Sequence, residues 1–175
     1  MKVHIFINKQ INNMEFTDYI NIEEETINEF INQQPKIELN LLMNESFSVY
    51  DFTFVSAGTH NGLYTPILDG VCEAKTRNEA STSYPEGALL ELTKLTGVCQ
   101  EISKAKDEFL NLNKTIKGFY LVKYTDRTFL FDLDTLDLGQ IEYRKLPKTT
   151  AKSRNMEWIT KAIIIIPYEK AILTY

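Results

Sequence analysis

The stretch "LDGVCEAKTRN", Leu68 to Asn78, sets a glutamate and a lysine two residues apart in a run of small and β-branched residues. Val71, Cys72, Ala74 and Thr76 suit a buried strand. Successive side chains of a strand alternate faces, so Glu73 and Lys75 share one face while Cys72 and Ala74 take the other. Two opposite charges on one face of an otherwise apolar strand ask for a chemical reason.

The rest of the chain narrows that reason. At 175 residues and 43% hydrophobic, residues 1–175 suit one domain with an ordinary buried core. The longest apolar run, "AIIIIP", is far too short for a membrane span, and "MKVHIFINKQ" is too polar for a secretory signal. Cys72 and Cys99 form neither a metal spacing nor a disulfide framework, which points to a reducing cytoplasm. The formal charge of -5 is unevenly spread: Met1 to Lys75 holds four lysines and no arginine against eleven acids. By contrast "RKLPKTTAKSR", Arg144 to Arg154, carries five basic residues and no acid. Net negative charge argues against indiscriminate coating of nucleic acid, yet a local basic strip can take phosphates or simply be a solvated loop.

Periodicity and turn chemistry give the element order. Asn21 as N-cap, Glu24 at the capping-box position and the stripe Ile27, Phe30, Ile31 predict a helix over 22–33. A strand opens at Pro35; "SVYDFTFVSAG" predicts another, closed by the turn signal "HNG". "LYTPILDGVCEAKTR" resumes extended structure. A long helix is predicted over 85–110 from the recurrence of Leu89, Leu92, Leu95, Cys99, Ile102 and Phe109. Pro85 would be its first residue, with Ser83 or Tyr84 as cap. "KGFYLVKYTDRTFLFDL" predicts two strands around Thr125-Asp126-Arg127, and "WITKAIIIIPYEKAILTY" at least one more. The class is mixed α/β around a central sheet.

Asp51 in "YDFTFV" precedes the turn, the E-x-K strand and the long helix. Acid, spacer, acid-x-lysine on neighbouring strands backed by a helix resembles the PD-(D/E)xK nuclease superfamily, here as Asp51, twenty-one residues, then Glu73-Ala74-Lys75. The continuation "EAKTRN" is similar to the D-x-K-T-R-N core of some type II restriction endonucleases. The likeness runs from about Ser48 to Thr125 and departs from the superfamily's name where Tyr50, not proline, precedes Asp51. It implies a restriction-endonuclease-like fold, a mixed central sheet flanked by helices. It also implies a Mg²⁺-dependent DNA endonuclease with one or two ions per active site, in the first place a type II restriction enzyme working on double-stranded DNA as a homodimer. The alternatives are a repair or recombination nuclease of the same fold and a non-catalytic binding module.

The residue types suit that chemistry independently. Two carboxylates make a hard oxygen site for Mg²⁺, which polarises phosphate and lowers the pKa of a bound water. A neighbouring lysine orients that water or stabilises developing charge. Asp51 and Glu73 are thus the expected metal ligands, joined by the Ala74 carbonyl, with Lys75 acting at the attacking water. One geometric condition follows. If Asn61-Gly62 is a two-residue hairpin turn, unbroken pairing sets Asp51 opposite Cys72, on the face away from Glu73. A bulge near Asp69-Gly70 or Pro66 would restore the shared face.

Other residues keep two readings. Thr76, Arg77 and Asn78 leave the strand where a duplex would pass, and contact with DNA or solvation both fit. Arg144, Lys145, Lys148, Lys152 and Arg154 are expected phosphate contacts in a loop. Glu24 caps its helix or reaches the metal site. Asp69 reads as a turn residue rather than the first metal acid, Cys72 as core rather than nucleophile, and His4 and His60 as structural. Asp132, Asp134 and Asp137 read as a solvated strand face.

Overall fold

The structure, a computed structural model, describes residues 25, 26, 28, 29, 40–43, 51–60, 63–108, 115–136, 140–148 and 157–175. Strands β1 (Asn40–Met43), β2 (Phe52–His60), β3 (Leu63–Thr76), β5 (Lys117–Lys123), β6 (Thr128–Asp132) and β9 (Leu173–Thr174) form one sheet in the order β1-β2-β3-β5-β6-β9. Strands β4 (Ala88–Glu91), β8 (Trp158–Ile166) and β7 (Ile141–Pro147) form a second sheet in the order β4-β8-β7. Helix α1 (Leu92–Glu108) follows β4 directly.

Strand β3 pairs antiparallel with β2 but parallel with β5, with β4 and α1 lying between β3 and β5 in sequence. A parallel neighbour needs such a crossover, since a tight turn can only reverse the chain. On one face of the sheet Val71, Tyr120 and Val122 join Leu95, Val98, Ile102 and Ala105 of α1 in the core. A Cβ on Gly118 would sit 3.2 Å from both Ile102 and Val98, so glycine lets helix and strand approach. On the other face the helical residues Thr26 and Glu29 reach the sheet: Thr26 hydrogen-bonds Thr76 at 2.9 Å and Glu29 pairs with Lys123. The architecture is the expected one, a mixed central sheet flanked by helices.

The predicted long helix begins seven residues later than its leucine spacing suggests. Ser81–Ser83 form a 3-10 turn, and Gly87 adopts φ +133°, where a Cβ would meet the Ile166 carbonyl at 2.3 Å. Ala88–Glu91 then pair with Ile163–Ile166, so Leu89 belongs to a strand and Pro85 starts no helix. The three-residue step from Leu89 to Leu92 mimics helical periodicity, but pairing with an isoleucine strand overrides it. On α1 itself Cys99 is exposed, and Val98 and Ala105 take its expected place in the buried stripe. Asp132 also departs from expectation: it is buried, pairs with Lys117 at 2.5 Å and accepts from Asp134 N–H, capping a 3-10 turn rather than lining a solvated edge. The predicted helix over 22–33 is described only at four residues; His4, Glu24, Phe109, Asp137, Lys152 and Arg154 lie outside the described residues.

Candidate active site

The hairpin β2–β3 contains the bulge that the shared face requires. His60 pairs with Leu63 and Val55 with Leu68, but Phe54 pairs with Gly70, which leaves Asp69 as one extra residue in β3. An extra residue on one strand shifts every later pair by one. Phe52 therefore pairs with Cys72, and Asp51, one step before it, comes level with Glu73. Asp69 is thus a bulge residue within β3, not a turn. Gly70 beside it has no room for a side chain, since a Cβ would lie 2.7 Å from the Phe119 ring.

Asp51 is pinned at that position. Its backbone N–H donates to the Cys72 carbonyl at 3.1 Å, and its Oδ2 accepts from Ala74 N–H at 2.6 Å. A strand residue presents its N–H and C=O to the same side, so the Ala74 carbonyl also faces β2, just where that strand ends. Cys72 is fully buried, as a core residue should be, and burial pushes its thiol pKa up.

Glu73 is only 4% exposed. Burial, reinforced by the nearby Asp51 charge, holds its carboxyl well above the usual glutamate range, against the pull of Lys94. Lys94, in the first turn of α1, reaches both Glu73 oxygens at 3.0 Å. Glu73, Lys75, Arg77, Glu91, Lys94 and Tyr120 line one cleft between β3 and β4, together with Leu89 and Leu90. Glu91 is paired across the second sheet with Lys161 at 2.9 Å. Two hydrogen bonds to the Leu89 carbonyl, from Tyr120 Oη at 2.8 Å and Arg77 Nη2 at 3.4 Å, tie β4 to the main sheet.

Lys94 and Glu91 escape sequence reasoning because nothing local marks them. Both lie at the strand-to-helix junction that leucine spacing disguises. Arg77 is turned inward, with its guanidinium 5.5 Å from the Tyr84 ring centre, and Thr76 is engaged by Thr26. Asn78 is exposed. The basic strip begins on β7 rather than in a loop: Arg144 pairs with Glu86 and Glu142, and Lys148 with Glu157.

The donor set fits a hard divalent cation. Two carboxylates close enough to raise a proton affinity are relieved by positive charge, and Glu73 already accepts a cationic head on both oxygens. Among the described residues no group of three or more His, Cys, Asp or Glu side chains gathers. An ion here would therefore draw on Asp51, Glu73 and backbone oxygen and complete its shell with water, as Mg²⁺ commonly does.

No protein-family model matches the chain, and no curated protein matches it. Among solved structures, Hjc of Archaeoglobus fulgidus, a Holliday junction resolvase from an archaeal hyperthermophile, is similar at a TM-score of 0.43 and 10% identity, covering 86% of this chain and 90% of that one.

Proposed function

We propose that the chain is a metal-dependent nuclease that hydrolyses phosphodiester bonds of DNA at the Asp51–Glu73–Lys75 face. The observation that carries this reading is the Asp69 bulge, which brings Asp51 level with Glu73 on a strand whose next residue on that face is Lys75. Bulges recur beside active sites because they re-aim a side chain, here the Asp51 carboxylate. Asp51, Glu73 and the Ala74 carbonyl would hold Mg²⁺, which supplies phosphate polarisation and an acidified water. Lys75 orients the attacking water or stabilises charge on the phosphate. Lys94 pairs with Glu73 from the helix side and offsets part of the burial that favours its protonated form.

The main reading in sequence terms, a type II restriction enzyme, and its alternative, a repair or recombination nuclease, share this chemistry and differ in DNA substrate. The Holliday junction resolvase named above makes the four-way junction the branched substrate to include. Purified chain would be incubated with plasmid and phage duplex, and separately with a four-way junction, with Mg²⁺ and with chelator. Discrete duplex fragments identify a restriction enzyme, preferential junction cutting a recombination nuclease. No Mg²⁺-dependent cleavage of any of them would leave a binding module and overturn the proposal.

A further inference from the structure

The second sheet carries a surface that the cleft does not use. Strand β4 pairs only with Ile163–Ile166, so residues 158–162 of β8 run on past it, paired with β7 alone. Paired residues of an antiparallel ladder point to the same side. Ile141, Tyr143, Lys145 and Pro147 therefore share a face with Ile164, Ala162, Thr160 and Trp158. At its inner end this face is core, with Ile164 buried. Further out it opens to solvent: Ile141 is 48% exposed, Trp158 58% and Tyr143 74%.

The opposite face of the arm is spoken for. Arg144 pairs with Glu142 and Glu86, and Lys161 with Glu91, which fixes the arm to the body. Lys145, set between the Tyr143 and Trp158 positions on the open face, has no acidic partner among the described residues. The described residues of the arm, 141–148 and 157–163, hold four basic residues and two acids, a net charge of +2 in a chain whose formal net charge is -5. The arm is the positive part of a negative protein.

We infer that the Tyr143–Lys145–Trp158 face of the β7–β8 arm binds single-stranded nucleic acid by stacking unpaired bases on its two rings. An anionic partner follows from the charge contrast. Exposed aromatics on a sheet face beside an exposed lysine match the way such surfaces take bases, since every base offers a flat π-face and every nucleotide a phosphate. Paired bases inside a duplex offer no such face. The inference stands on the arm's own residues and is independent of the Asp51–Glu73 reading.

Trp158 is the single tryptophan of the chain, so its fluorescence reports on this face alone. The full chain would be titrated in chelator with a dT oligonucleotide of about 16 nucleotides, the upper site size for one small stacking module. Saturable quenching that weakens with salt is expected, and Tyr143→Ala should lower the affinity about 5- to 150-fold, the equivalent of one stacked base, while Tyr143→Phe restores it. Unchanged fluorescence overturns the inference. So does a response to duplex but not to dT, a response to phosphatidylserine vesicles in place of dT, or a concentration-dependent blue shift with dimer formation. Because chelator removes any demand for cleavage, this experiment and the DNA digestion succeed or fail separately.

Discussion

The two sheets break the rule of apolar inside and polar outside in opposite directions. In the large sheet, β3 carries Glu73 into the interior with only 4% of its surface exposed. In the small sheet, the β7–β8 arm holds Tyr143 and Trp158 out in solvent. A buried charge and a contiguous exposed apolar face are the informative departures in a folded chain, and each costs stability. The large sheet keeps its exception with a pairing lysine, set against burial and a neighbouring acid. The small sheet keeps its exception with ion pairs on the reverse face. Both are arrangements that packing alone would not select.

The sharpest way to break the first exception is to delete Asp69. Without the extra residue, pairing set from the hairpin turn returns Asp51 to the level of Cys72 and turns its carboxylate to the opposite face. Cleavage should fall by at least about 10²–10³-fold, the usual cost of one lost electrostatic contact at a reacting centre, with circular dichroism little changed. Plasmid digestion checks this. Retained cleavage would mean that Asp51 is not part of the site.

A smaller effect separates function from stability at Glu73. Its carboxyl pKa is raised in the folded chain, so folding takes up a proton between the unfolded and folded values, and stability falls as pH rises through that window. Glu73→Gln removes this cost. Without divalent ions it should be more stable than the parent by about 0.5–2 kcal/mol at pH 8, in the range of other stabilising changes at functional sites. The difference should vanish below about pH 4.3, where glutamate is protonated in both states. Thermal melts across pH give the comparison, and a Gln variant less stable at pH 8 would contradict it.

The smallest effect belongs to the arm. Tyr143→Ser removes a mostly exposed ring, so stability should move by no more than about 0.5 kcal/mol, as for other surface positions. A denaturant midpoint lowered well beyond that would mean the ring is packed in the working protein.

How far these features were legible in the sequence follows from how local they are. Alternation around Glu73 gives the strand and the shared face of Glu73 and Lys75, and the turn predicted from Asn61-Gly62 gives the register and hence the need for a bulge. Placing that bulge at Asp69 takes the ladder itself, because Pro66 and Asp69-Gly70 each admit one for a different reason. Helix α1 is legible in its middle and misleading at its start, where Leu89 is claimed by Ile165 across the sheet. Lys94 was hidden by the same error, since its meaning depends on where the helix begins. The basic strip is visible as charge, but its division into paired Arg144 and Lys148 and an open Lys145 depends on which acids the fold brings across, and Glu86 and Glu142 carry no such mark.

The central claim is that Glu73 and Lys75 share a face because they serve one metal-dependent reaction, and Lys75→Ala tests it most directly. The variant would be compared with the parent for Mg²⁺ titration, DNA binding, thermal stability and plasmid cleavage. Lysine is no metal ligand, so ion and DNA binding should persist while cleavage drops by about 10²–10³-fold or more. A surface ion pair would instead shift stability by about 0–1 kcal/mol and leave chemistry untouched. A Lys75→Ala protein that folds normally and cuts DNA at the parent rate would contradict the account.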